Sequence, residues 1–226
     1  MTGIHPALAG LVFATSSAVF AQSGEPVDTI PVKEEEPAAV STPSVLSYTY
    51  VDLAYGQTQF DQTKVDADGF ALSGSYQLPA TLLPALGGAL YATGGYSMIK
   101  TDKSAGGGST ETTDLRLGVG YRLELSNTLD MTTELDFLQQ DSKLKPSGLS
   151  VDDTGFRLGV GTRAQVAPQF EASGGIRYVD IGVDSVTLLE ANGLYHIAQG
   201  FAAFVTVATS SDVTSFGIGG RYNFKF

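Results

Sequence analysis

Residues 215–226 read SFGIGGRYNFKF, and their order of apolar and polar positions limits the folds open to this chain. Phe216, Ile218, Tyr222, Phe224 and Phe226 share one parity, while Gly217, Gly219, Arg221, Asn223 and Lys225 share the other. Alternation with period two predicts a strand with one apolar face. A single strand of this kind would fit a soluble sandwich. Recurrence through most of the chain, always with aliphatic and aromatic residues on one parity and charge or glycine on the other, is a stronger constraint.

Ten segments carry the pattern: 48–59, 69–78, 86–99, 114–125, 129–137, 156–166, 170–181, 189–197, 201–209 and the last stretch. The fourth is the clearest, with Leu115, Leu117, Val119, Tyr121, Leu123 and Leu125 against Asp114, Arg116, Gly118, Gly120, Arg122 and Glu124. The third is blurred by glycines, and Tyr91 and Tyr96 compete for its apolar side. The ninth is nearly apolar on both parities. An apolar outside around a polar inside is the arrangement of a transmembrane β-barrel. The predicted fold is all-β: a closed antiparallel transmembrane barrel of ten strands, or eight if a hairpin is lost at the third or ninth segment. The even count puts both termini on one side. The odd-numbered connections, 61–68, 101–110, 140–153, 180–185 and 210–212, then face outward. The shorter links, such as Ser126–Asn127 and Gln199–Gly200, face the periplasm.

Residues 1–21 have a short apolar core and small residues at Val19 and Ala21, so they predict a secretory signal peptide cleaved after Ala21. Residues 22–44 hold Pro26, Pro31, Pro37 and Pro43 among acids and predict an extended acidic linker on the periplasmic side. Residues 45–226 form the barrel domain. No later run reaches the ~20 apolar residues of a spanning helix, so any crossing is by strands. The formal charge of -11 excludes a nucleic-acid partner, because no basic stripe is present. Absent cysteine excludes disulfides and thiolate metal sites. No cofactor is expected.

All six arginines, Arg116, Arg122, Arg157, Arg163, Arg177 and Arg221, fall on the inward parity. So do Asp52, Asp114, Glu124, Asp130, Glu134, Asp136, Glu171 and Glu190. An arginine facing lipid at mid-membrane costs about 2–4 kcal/mol, which accounts for the exclusion. Opposite charges confined in a narrow lumen predict a charge network across it. Inward glycines leave room for the long arginines, and equally leave room for an ion-lined passage.

The ending YNFKF, with aromatics at Tyr222, Phe224 and Phe226, resembles the carboxy-terminal signal of outer-membrane β-barrel proteins. That resemblance extends over residues 48–226 to the small outer-membrane barrels that include adhesion and opacity-like proteins and small porins. It implies an outer-membrane location with both mature termini periplasmic. It also implies contact with outer-membrane lipids and with the barrel assembly machinery; a closed single-chain barrel is expected to be monomeric. The group includes adhesins, channels and enzymes, so three functions compete. The first is a non-enzymatic barrel with a networked lumen, serving cell-surface structure or interaction. The second is a small diffusion channel. The third, a hydrolase similar to omptins or lipid A deacylases, is disfavoured. Beyond the signal segment the chain has one histidine, His196, on the inward parity near the Gln199–Gly200 turn, which leaves little acid–base machinery.

Overall fold

The computed structural model describes residues 46–60, 65–79, 81, 89–101 and 108–224. The expected signal peptide, the linker and Phe226 lie outside the described residues. Ten strands follow in order: β1 (Tyr50–Phe60), β2 (Val65–Gln77), β3 (Leu90–Thr101), β4 (Ser109–Ser126) and β5 (Leu129–Lys145), then β6 (Leu149–Ala167), β7 (Phe170–Ile181), β8 (Asp184–Ala198), β9 (Phe201–Thr209) and β10 (Val213–Asn223). Each pairs antiparallel with its sequence neighbours, and β1 pairs with β10 to close the ring. The third and ninth segments both form full strands, so the count is ten and not eight.

Closure is continuous. All eleven residues of β1 have partners on β10, from Tyr50↔Asn223 to Phe60↔Val213. The end of the barrel that holds Tyr50 and Asn223 is called the near end here, and the other the far end. Tight turns link each strand to the next from β4 to β10. Glycine takes positive φ in three of them, +73° at Gly148, +61° at Gly182 and +82° at Gly200, a conformation that side-chain-bearing residues rarely adopt.

The outer surface is apolar because it meets lipid. Leu53, Leu117, Phe137 and Ile218 are all more than half exposed. Aromatic residues ring this belt at two heights, as they do where a barrel meets the two membrane–water boundaries. Tyr55, Phe70, Tyr96, Phe137, Phe156, Tyr178 and Phe216 stand toward the far end, and Tyr76, Tyr121, Phe170, Tyr195, Phe201 and Tyr222 toward the near end. Tyr96 takes the outer face of β3, while Tyr91 points inward and is 2% exposed.

Two loops expected from the sequence are corrected. Residues 140–153 are not a long loop: β5 and β6 stay paired from Gln140↔Asp153 to Leu144↔Leu149, leaving a turn at 146–148. Likewise β1 runs to Phe60 and β2 starts at Val65, which shortens the first far-end connection. The apolar outer face ends where lipid ends, but backbone pairing continues into water with polar residues such as Asp141 and Lys143 outward. A criterion based on apolar parity therefore stops too early.

The interior is filled by side chains in three tiers. At the far end it holds two apolar clusters beside buried hydroxyl pairs, Thr58 with Ser215 and Thr112 with Ser142. Phe60, Ala67, Ile99, Ala208 and Val213 form one part of this tier, and Leu138, Val179, Ile181 and Leu188 form another. The middle tier is ionic. The near tier mixes tyrosine with arginine.

Candidate functional site

The middle tier is built from β4, β5, β6, β7 and β8. Inward parity forces arginines and acids from these strands into one narrow space. Arg157 reaches Asp136 with both Nε (2.9 Å) and Nη2 (2.8 Å), and its Nη2 lies 3.4 Å from Glu134. Arg177 Nη2 lies 3.1 Å from Glu134 Oε2, and its Nε donates to Glu190 Oε2 at 3.3 Å. Arg116 joins more loosely, with Nε 3.9 Å from Asp136. Neutral donors complete the carboxylates. Thr93 donates to Asp136 at 2.6 Å, and the Tyr91 hydroxyl donates to Glu134 at 3.0 Å. Three guanidiniums thus face three carboxylates. Arg177 is 0% exposed and Arg157 2%. Charges this buried are tolerable only when paired and hydrogen-bonded.

The near tier holds two strong pairs. Arg221 grips Asp52 through Nε and Nη2, both at 2.7 Å. Arg163 grips Glu171 through Nε (2.8 Å) and Nη2 (2.6 Å). The first of these joins directly opposed residues of β1 and β10, so it fastens the seam of the barrel. Forked contacts of this type fix geometry as well as supply energy. Arg122 lies 3.7 Å from Asp130 and 3.9 Å from Glu124, the latter toward the rim. Arg221 stacks on Tyr50, its Cζ 3.6 Å from the ring centroid. His196 Nε2 is 2.7 Å from Glu171 Oε1, which ties this imidazole to a carboxylate already held by Arg163.

Asp114 stands apart from both groups. Its carboxylate accepts hydrogen bonds from Ser97 Oγ at 2.9 Å and from Gln140 Nε2 at 2.5 Å, both neutral donors. The fourteen charged residues expected to face inward therefore fall into separate clusters. Twelve divide between the middle and near tiers, Glu124 lies at the near rim, and Asp114 lies toward the far end.

Sequence reasoning missed three interior tyrosines, Tyr48, Tyr50 and Tyr91. Tyr48 and Tyr50 share the parity of Asp52, which was a readable signal. Tyr91 was ambiguous because β3 offered two tyrosines of opposite parity. The apolar clusters of the far tier were missed as well, although Val179, Ile181 and Leu188 continue the inward parity of Arg177 and Glu190.

A cavity of about 20 Å³ lies among Asp52, Ser73, Arg163, Glu171, Asn192 and Arg221, room for about one water molecule. Among the described residues, no three histidine, aspartate or glutamate side chains are grouped to hold a metal ion.

Residues 36–224 match the family described as outer membrane protein beta-barrel domain. The chain belongs to that family. Comparison of this outer-membrane barrel with curated proteins finds no match in sequence. Several solved structures are similar to it. The translocator domain of the autotransporter NalP from Neisseria meningitidis superposes with a TM-score of 0.50 at 10% identity, over 80% of this chain and 90% of that one. The NanC porin gives 0.47 at 9% identity, over 77% of this chain and all of that one. The β domain of the Bordetella autotransporter BrkA gives 0.46 at 15% identity, over 79% and 100%. At such identities the likeness is one of fold alone.

Proposed function

We propose that this outer-membrane barrel is a non-enzymatic element of cell-surface structure or interaction, with a lumen closed by its own side chains, and not a path for solutes. The observation that carries the reading is Arg177. It is wholly buried at the middle height of the bore, where it lies over Gly159 and holds both Glu134 and Glu190, so the interior around it is filled by side chains. The apolar clusters at the far end agree with it. The near end is assigned to the periplasm, following from delivery by a signal peptide and an even strand count. Outer-membrane lipids then surround the apolar belt, and the assembly machinery inserts the chain as a monomer.

Conductance of the purified protein in planar bilayers tests this. The expected result is little or no current from the unmodified barrel, rising when Arg116 and Arg157 are both replaced by alanine. Large, reproducible conductance from the unmodified protein would establish a diffusion channel instead.

A further inference from the structure

Thr49 is where the chain joins the barrel wall. Its carbonyl accepts the Phe224 amide at 2.9 Å, and its hydroxyl oxygen accepts the Gln77 amide at 3.1 Å, so it is held from both neighbouring strands. Just before it, Ser47 Oγ donates to the Thr49 carbonyl (3.3 Å) and accepts the Thr49 amide (3.4 Å). Local hydroxyl bonds of this kind bend the backbone. The bend turns the preceding residues away from the wall and into the near mouth, where Leu46 is 3% exposed and Tyr48 4%.

What holds these residues is side-chain contact, since 46–48 belong to no strand. The Tyr48 ring lies 5.0 Å from that of Tyr91. The guanidiniums of Arg122 and Arg163 lie 5.2 and 5.1 Å from its centroid, within the range of cation–π attraction. Arg163 also donates from Nη1 to the Ser47 carbonyl at 2.6 Å. Leu46 packs with the two tyrosines as an apolar cluster. The same Arg163 lines the small cavity above.

We infer that residues 46–48 form a stopper in the near mouth, seated by the Tyr48 ring between two arginines and hinged at Thr49. Withdrawing it opens the near tier to solvent while the wall stays paired. The stopper adjoins the middle tier at Tyr91, but its withdrawal is read by labelling in the near tier, so this inference does not depend on whether the barrel conducts.

The absence of cysteine makes a direct test possible. An Asn192→Cys variant places a thiol on the cavity wall, and its modification by a small charged methanethiosulfonate reagent reports solvent access. Each protein is first shown to be folded by heat-modifiable gel mobility; Ser73→Cys replaces Asn192→Cys if the latter does not fold. Modification is expected to be slow in the otherwise unmodified chain. It is expected to be at least ten-fold faster with Tyr48→Ala or with residues 46–48 deleted, and to stay slow with Tyr48→Phe, which keeps the ring. Equal rates across the set, fast labelling without any stopper change, or fast labelling with Tyr48→Phe would each overturn the inference. Bilayer conductance is read in parallel. Faster labelling without current separates the stopper from the closed middle tier, so failure of one reading is distinguishable from failure of the other.

Discussion

Arg177 on β7 and Glu134 on β5 meet at 3.1 Å although β6 runs between their strands. The contact passes over Gly159 of β6, which pairs with both residues, so it ties β5 to β7 along the inner wall beyond what either ladder with β6 provides.

That coupling gives a stability prediction. Arg177→Met strands two buried carboxylates, and removal of one partner from a buried pair costs about 3–5 kcal/mol. The double change Arg177→Met with Glu190→Leu should recover much of the loss, because Glu134 keeps Arg157 at 3.4 Å. Urea unfolding in lipid vesicles, followed by far-ultraviolet circular dichroism, measures both. Additive losses in the double variant would show that the pair is not coupled.

A second prediction concerns space. A Cβ placed on Gly120 would run into the ring of Tyr91, the residue that donates to Glu134. Gly120→Leu should therefore force Tyr91 out of the lumen and destabilise by about 1–3 kcal/mol, the usual cost of overpacking. Adding Tyr91→Ala should make Gly120→Leu less harmful. The same unfolding assay reads the difference.

The lipid face should behave oppositely to the lumen. Leu117 is 60% exposed on the apolar belt. Leu117→Arg should cost about 2–4 kcal/mol in a bilayer. Lys143→Arg, on the part of β5 beyond the belt, should be near neutral. Equal effects at the two sites would put the membrane boundary elsewhere.

Closure depends on the end of β10. Removing residues 222–226 deletes Tyr222↔Val51 and Asn223↔Tyr50, together with the Phe224 amide bond to Thr49. It also removes the aromatic ending expected to signal assembly. The truncated chain should fail to appear as heat-modifiable protein in the outer membrane. Normal folded amounts would show that neither the seam nor the signal requires these residues.

Most of the wall was legible in the sequence because lipid imposes a single rule on every outward residue. The strand count, the inward arginines and the facing acids follow from that rule. Strand ends were not legible, since Gln140↔Asp153 and the pairs beyond it lie past the belt and obey no lipid constraint. The division of the lumen was only half legible. Parity places Val179 and Arg177 inside, but register decides that the first joins an apolar cluster and the second an ionic one. The pairing of Asp114 with Ser97 and Gln140, with no arginine among the three, rests on distances that alternation does not encode.

The strands differ greatly in length, from nine residues in β9 to nineteen in β6. On β6 the six residues from Leu149 to Thr154 precede its first pair with β7, at Gly155↔Ile181, a rise of roughly 20 Å along the strand. The far rim is consequently a slope, high over β5 and β6 and low over β9. A cylinder with a level rim would look the same to every neighbour in the plane of the membrane. This one has a heading: turning the molecule about the membrane normal changes what an adjacent molecule meets, so its orientation among neighbours carries information that its position alone does not.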